Sequence, residues 1–184
     1  MTLGFGATSV DAIANALGVT KGFIYYYYRS KSDLFFAVQR RALELTRDAI
    51  EPVAKTQDAP RERLYNMAHA HTLLILSRLP YLRVAAQGVE LHLLGRTTPE
   101  ERAALQAIIE LRDYSEHLYV QVINEGIKAQ QFRPVDSRLV VKPLLGALNW
   151  TSRWYHPRKG ETAGDRKRIA DEIAAVVLNG LLAR

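Results

Sequence analysis

Residues 7–34 read ATSVDAIANALGVTKGFIYYYYRSKSDL, and this stretch decides the fold. Its first half places apolar residues on one helical face, at Val10, Ile13, Ala14 and Leu17. Thr8 or Ser9 precedes this face as a helix N-cap, and Gly18 follows it where a left-handed residue is tolerated. Thr20 then caps a second short helix. The pattern predicts two short helices joined by a tight, glycine-containing turn.

This arrangement is that of a helix-turn-helix, in which the second helix enters the DNA major groove. On that helix Ile24 and Tyr28 lie one turn apart and can face inward. The side chains left pointing outward are those of Thr20, Lys21, Phe23, Tyr26 and Tyr27. Gly22 lets the backbone lie close to DNA. Tyrosine hydroxyls and Lys31 can bond phosphates, whereas the side chains at the helix start can reach base edges.

The rest of the chain shows helical periodicity and no convincing strand, so the predicted fold class is all-α. A longer helix starts at Ser30 or Ser32 and runs to about residue 54. Further helices are predicted to start at Pro60, near Pro80, at Pro99, at Asp136 and near residue 165. We divide the chain into a helix-turn-helix domain at residues 1–40 and a larger helical domain at residues 41–184.

Composition limits the classes of function. The formal net charge is +6, and the first 41 residues carry five lysines and arginines against two acids, while the other 143 carry 20 against 17. A basic pole favours a phosphate-rich partner, although a solvated charged face is the commoner explanation. The chain has no cysteine, which excludes disulfides and thiol catalysis. With neither a membrane span nor a signal peptide in the sequence, we expect a cytoplasmic protein without a membrane role.

The helix-turn-helix resembles the DNA-binding domain of the TetR family almost position by position. The segments that carry the resemblance are residues 7–14, 17–22 and 24–34. It implies a repressor that binds a palindromic DNA operator and is released when a small molecule fills a pocket in the domain at 41–184. It also implies a homodimer formed through the last two helices, at about residues 136–156 and 165–183. The DNA-binding positions that it implies are Thr8, Thr20, Lys21, Gly22, Phe23, Tyr26, Tyr27 and Lys31.

One departure from the family pattern concerns the beginning of the chain. TetR domains normally begin with an additional amphipathic helix, and residues 4–8 stand where that helix should end. We therefore expect the first helix to be absent and Val10, Leu17 and Ile24 to be partly uncovered. The alternative function follows from this expectation: a ligand-binding dimeric module that has lost operator binding through truncation of its DNA-binding domain.

The region from Leu145 to Pro157, with residues 125–127 and 132–134, resembles a TetR subgroup that regulates fatty-acid or steroid catabolism. The resemblance implies an acyl-CoA thioester as the effector. Within this region two tryptophans lie one turn apart on one helical face, and an arginine between them could bind a phosphate or carboxylate. The predicted ligand-binding residues are His71, Asn149, Trp150, Arg153 and Trp154. Packing of both tryptophans in a dimer interface is an equally good interpretation.

Metal binding and catalysis have weak support in the sequence. His69 and His71 are two residues apart and point to different sides of a helix, so we predict no metal site. No nucleophile is coupled to a base, and we expect neither a cofactor nor an enzyme. A small helical enzyme remains the third alternative, which turnover of a thioester would favour.

Overall fold

Eight α-helices make up the part of the chain that the structure, a computed structural model, describes: residues 8–85 and 98–183. They are α1 (Val10–Leu17), α2 (Lys21–Tyr27), α3 (Lys31–Ala54), α4 (Pro60–Ser77), α5 (Leu79–Ala85), α6 (Pro99–Lys128), α7 (Ser137–Trp154) and α8 (Ala163–Asn179). Within this part there is no strand beyond an isolated antiparallel bridge between Phe132 and Leu182. The all-α prediction is confirmed.

Side-chain caps fix the helix boundaries near the N-terminus. Ser9 accepts a hydrogen bond from the backbone N–H of Ala12 at 3.0 Å, and Thr20 caps α2 in the same way. Ser30 caps α3. Gly18 ends α1 with a φ of 66°, the left-handed conformation that glycine adopts without strain. The predicted boundaries of the first three helices are confirmed.

The later boundaries follow the same chemistry. Thr98 and Thr162 form capping boxes at the starts of α6 and α8, and Asp136 caps α7. Leu79 and the proline after it were expected to form a turn before a helix that ends near residue 92, but both belong to the first turn of α5. Residue 92 lies outside the described residues.

We call residues 8–34 the head. Its core consists of Val10, Ala14 and Ile24, and the partly buried side chains packed against it are Ile13, Val19, Tyr28 and Leu34. Val10 and Ile24 are each only 6% exposed, so the prediction that they are uncovered is wrong. Part of their cover comes from Leu34 at the start of α3. Leu17, by contrast, is exposed as expected.

We call residues 35–85 and 98–183 the body, which contains two large hydrophobic clusters. The distal core joins the end of α3 to α4, α6, α7 and α8, and its buried residues include Ile50, Leu64, Met67, Tyr119, Ile123 and Phe132. The proximal core lies nearer the head and consists of Ala42, Ile75, Leu76, Leu79, Leu82, Tyr155 and Ala170. The long helices therefore alternate in direction, and the α7–α8 connection lies at the head-facing end of the body.

Two arginines bind helix C-terminal ends from neighbouring helices. Arg63 of α4 donates Nη1 to the carbonyl of Ala54, the last residue of α3, at 2.9 Å, and its Nη2 pairs with Glu125 of α6. Arg83 of α5 donates Nε to the carbonyl of Ser152 near the end of α7 at 2.7 Å. The last carbonyls of a helix have no hydrogen-bond donor within the helix. Each arginine therefore supplies a donor to a carbonyl that its own helix leaves without one.

Candidate nucleic-acid interface and ligand site

The outer face of α2 presents aromatic side chains to solvent. Tyr26 is 82% exposed, Tyr27 62% and Phe23 53%, and Tyr27 stacks edge-on against each of the other two. Ile24 points the opposite way into the head core. Large exposed aromatics on a small domain indicate a surface that binds a partner, because such groups are otherwise buried. The outward placement predicted from the sequence is confirmed for these side chains.

Lys21 at the start of α2 is held by a neighbour that sequence reasoning missed. Its Nζ lies 2.7 Å from Oδ2 of Asp11 on α1, and both side chains are about half exposed. The hydrogen bond to Asp11, followed by the attraction of its charge, raises the pKa of Lys21. A lysine that contacts a base edge must therefore first leave this carboxylate.

The remaining predicted DNA-binding positions lie around the same helix. A Cβ placed on Gly22 would have only Oγ1 of Thr20 within 4 Å, at 3.9 Å, so the backbone there is open to a close approach. Thr8 and Lys31 are partly buried, and each interacts with other residues of the chain. Contact of these positions with DNA stays a prediction.

His71 of α4 is buried in the body and forms a polar pair with Tyr119 of α6. Its Nδ1 lies 3.2 Å from the Tyr119 hydroxyl, which in turn donates to the carbonyl of Met67 at 3.2 Å. Burial lowers the pKa of His71 to about 4, and a hydrogen bond between its ring and the side chain of Asn149 opposes this decrease. His71 is therefore neutral near pH 7, and it brings together residues of α4, α6 and α7.

The other predicted ligand-binding residues, Trp150, Arg153 and Trp154, lie on the outer face of α7. Trp150 is 64% exposed and Trp154 47%. Further exposed apolar side chains are Leu139 on α7 and Val176 on α8. The structure thus separates the predicted ligand set into His71, which is buried and interacts with the exposed Asn149, and an exposed aromatic face.

Several buried polar atoms of the body have no hydrogen-bond partner among the described residues. Those of uncharged side chains belong to Gln39, Thr72, Ser115 and Thr151, which lie on four different helices. Buried polar groups are normally paired, so each of these atoms has capacity for a further partner. Neither these residues nor Tyr119 was singled out from the sequence, because each stands within an ordinary helical pattern.

Other kinds of site find little support in the described residues. They include no group of three or more side chains suited to a metal ion and no helix long and apolar enough to cross a membrane. A depression of about 390 Å³ at the distal end is lined by Ala59, Gln131 and Leu182, among others. None of the predicted ligand-binding residues lines it.

A helix-turn-helix with an exposed aromatic recognition surface, followed by a larger helical body, defines a DNA-binding regulator with a second domain. The chain belongs to the TetR family. The model for the N-terminal domain of bacterial regulatory proteins of the tetR family matches residues 2–38, and the tetracyclin repressor-like C-terminal domain matches residues 57–181. Members of this family are transcriptional regulators rather than enzymes, and they bind operator DNA and dimerise.

Individual relatives are similar over nearly the whole chain. The repressor KstR2 of Mycobacterium tuberculosis is 24% identical over 188 residues, covering 97% of this chain and 84% of the relative. The structure of PfmR from Thermus thermophilus is 29% identical with a TM-score of 0.80, covering 98% of this chain and 92% of that one. The fold is also that of AibR in complex with isovaleryl coenzyme A and operator DNA, at 22% identity and a TM-score of 0.71, with 97% and 89% covered.

The family match corrects one prediction. The expectation that the first helix of the DNA-binding domain is absent is not supported, because the match to that domain begins at residue 2. The expectation concerned residues 1–7, which lie outside the described part of the chain. The alternative function of a truncated module that no longer binds an operator loses its basis. The proposed boundary between residues 40 and 41 falls inside the continuous helix α3 and stays a prediction.

Proposed function

We propose that this chain is a transcriptional repressor that binds a palindromic operator as a homodimer and is released by an acyl-CoA thioester of lipid or steroid catabolism. The observation that carries the DNA-binding part is the outward row of polar and aromatic side chains on α2. Family membership supports the class of function. The effector class rests on the relatives and on the polar and aromatic side chains of the body that are proposed to bind it.

In the proposed complex α2 lies in the major groove. Lys21 and Phe23 reach base edges, while the hydroxyls of Tyr26 and Tyr27 bond phosphates on either side. Gly22 permits close approach of the backbone. Thr8, Thr20 and Lys31 add phosphate contacts that set the register of the head on the duplex.

The proposed homodimer forms through the outer faces of α7 and α8, at about residues 136–156 and 165–183. Leu139, Trp150, Trp154 and Val176 give this surface four large exposed apolar side chains. Gly146 supports close helix approach, since a Cβ placed there has no atom of the described chain within 4 Å. Aromatic side chains are enriched at the centres of protein interfaces.

The proposed effector site combines His71 and Asn149 in the body with Arg153 and the two tryptophans of α7. A neutral histidine can bond a carbonyl or hydroxyl of the acyl group without the cost of burying a charge. Arg153 suits a phosphate of coenzyme A. AibR forms a complex with isovaleryl coenzyme A, and KstR2 is a ketosteroid transcriptional regulator, which supports this effector class.

Operator binding is tested by selecting duplexes from a random-sequence pool and measuring affinity for the enriched sequence. We expect a palindrome, and we expect Tyr26→Ala to weaken binding about tenfold. Tyr25→Phe is the matched control, because Tyr25 lies on the same helix outside the predicted contact set. Failure of the wild-type protein to enrich any sequence would overturn the proposal.

Effector binding is tested by thermal shift with a panel of acyl-CoA thioesters, including steroid-derived ones, and with the matching free acids. Binding to the folded state alone raises the unfolding temperature in proportion to the logarithm of ligand concentration. We expect a shift with the thioesters and little with the acids. No shift across the panel would remove the acyl-CoA effector and leave the tryptophans as dimer contacts only.

A further inference from the structure

The densest positive charge in the chain lies outside the head, in residues 153–168. This stretch, which we call the basic corner, has six lysines and arginines against two acids, a net +4 in a chain whose total is +6. The first 41 residues, by comparison, carry +3. Summing charge over the whole body hides this concentration, because the remaining body residues are close to neutral.

The basic corner lies at the end of the body that faces the head. It comprises the end of α7, the connection to α8 and the first turns of α8, and its Tyr155 belongs to the proximal core, which also contains Ala42 of α3. Ala42 is eight residues from Leu34 of the head core, about 12 Å along the helix. Burial raises the pKa of Tyr81, which packs against the same core, and the positive charge of Arg41 opposes this increase only in part. The nearby Tyr28 of the head raises the pKa of Tyr81 further.

Most basic side chains of the corner are exposed, and its acids neutralise only part of their charge. Two of its arginines pair with its own acids: Arg166 with Glu161 at 3.4 Å and Arg168 with Asp165 at 3.8 Å. Lys159 is exposed and forms no ion pair with any described residue, and the same holds for Lys167. These lysines remain available for an external anion.

The opposite end of the body provides an internal comparison. The two connections there, residues 55–59 and 129–136, together contain two basic and two acidic residues and are neutral. The two distal connections thus lack the excess of positive charge found in the basic corner, which lies at the end that carries the helix-turn-helix, where a DNA duplex is bound in the proposed function.

We infer that the basic corner is a second DNA-contacting surface, which binds operator phosphates between the two half-sites. The inference rests on the proposed operator binding and dimerisation. If α7 and α8 pair with those of a partner subunit, the end of α7 and the start of α8 from both subunits lie beside the two-fold axis. The two corners then face the centre of the palindrome, while each α2 occupies a flanking major groove.

The test compares two doubly substituted proteins with the same change in charge. Lys159→Gln/Lys167→Gln neutralises the corner, and Arg61→Gln/Lys128→Gln neutralises two exposed residues at the distal end. Affinity for the selected operator duplex is measured over a range of salt concentrations, with hydroxyl-radical footprints of each complex. Thermal unfolding checks that both proteins fold.

Each lost phosphate contact reduces the slope of log affinity against log salt by about 0.9, so loss of two contacts in each subunit reduces it by about 3 to 4. We expect this reduction, with loss of backbone protection at the centre of the operator, for the corner variant alone. An unchanged slope, or an equal reduction in the distal variant, would overturn the inference while leaving operator binding intact. It would also be overturned if the corner variant kept its salt slope but lost the thermal shift caused by acyl-CoA, since the corner would then bind a small phosphate ligand. Absence of any operator for the wild-type protein would instead remove the proposed function itself.

Discussion

Different interactions stabilise the head and the body of this protein. The head core has three buried residues, and its helix boundaries depend on the caps Ser9, Thr20 and Ser30. The body buries 24 residues in its two clusters and adds arginines that bind helix ends. Burial of a large apolar side chain stabilises by about 1.5–3 kcal/mol. Since only Val10 and Ile24 of the three are large, their burial stabilises the head only marginally.

The difference also appears on the two surfaces. In the head the largest aromatic side chains, such as Tyr26, are exposed, whereas in the distal core Tyr119 and Phe132 are almost completely buried. The head thus exposes aromatic area that the proposed operator binding uses, whereas the distal core uses aromatic area for the stability of the body. Substitutions in the head should therefore act mainly on binding, and those in the body mainly on unfolding.

Adding one methyl group in each region tests this contrast most strongly. A Cβ on Gly126 of α6 would overlap the ring of buried Phe132, so Gly126→Ala should lower the free energy of unfolding by about 3 kcal/mol. Gly22→Ala meets no crowding and should change stability by less than about 1 kcal/mol, yet weaken operator binding about tenfold. Urea denaturation and operator titration of both variants measure the two effects. Equal losses of stability would mean that the head is packed as tightly as the body.

A smaller effect concerns the buried histidine of the body. The pKa of His71 is about 4 in the folded protein and about 6.5 when unfolded, so below pH 6.5 the unfolded chain binds the additional proton. Stability should therefore fall as the pH decreases from 6.5 towards 4, by about 2 kcal/mol at pH 5 from this residue. Urea denaturation of wild type and His71→Gln at pH 7.5 and pH 5 measures the difference. The exposed His117 provides the control, since His117→Gln should retain the wild-type pH dependence; an equally steep dependence in His71→Gln would contradict the assignment.

The smallest expected effect sharpens the description of the head. Asp11→Asn releases Lys21 from its ion pair and removes a negative charge close to the bound duplex. Operator affinity should increase, by about threefold, because exposed ion pairs contribute little and are easily exchanged for a phosphate. Asp48→Asn removes an exposed acid from the body and should leave operator affinity unchanged. Weaker binding of Asp11→Asn would show that Asp11 orients Lys21 for DNA instead of competing with it.

The sequence predicts local features well because their causes lie within a few residues. Caps at Ser9, Thr20 and Asp136 and the outward face of α2 follow from side chains one turn apart. The burial of Val10 was predicted wrongly because part of the cover of the head core comes from Leu34, which belongs to the next helix. Local patterns do not show which distant helix covers an apolar side chain.

Contacts between distant residues were not predictable for the same reason. His71 stood out as a polar residue on an apolar face, but its partner Tyr119 lies 48 residues away. Arg83 looks like an ordinary surface residue until α5 is placed against the end of α7. The position of the basic corner depends on the direction of α7 and α8 in the bundle, which the charge pattern alone does not give.

The continuous helix α3 has a geometric consequence. Its 24 residues make a rod about 36 Å long, whose last carbonyl is bonded by Arg63 in the body and whose first turn lies in the head. A rotation of about 5° at the anchored end displaces the other end by about 3 Å, close to the rise of one base pair. In a symmetric pair of subunits the two displacements add. A rearrangement around the buried end of α3 can thus leave the packing there intact. The same rearrangement is large enough to shift the two copies of α2 away from the spacing of the major grooves in the proposed complex.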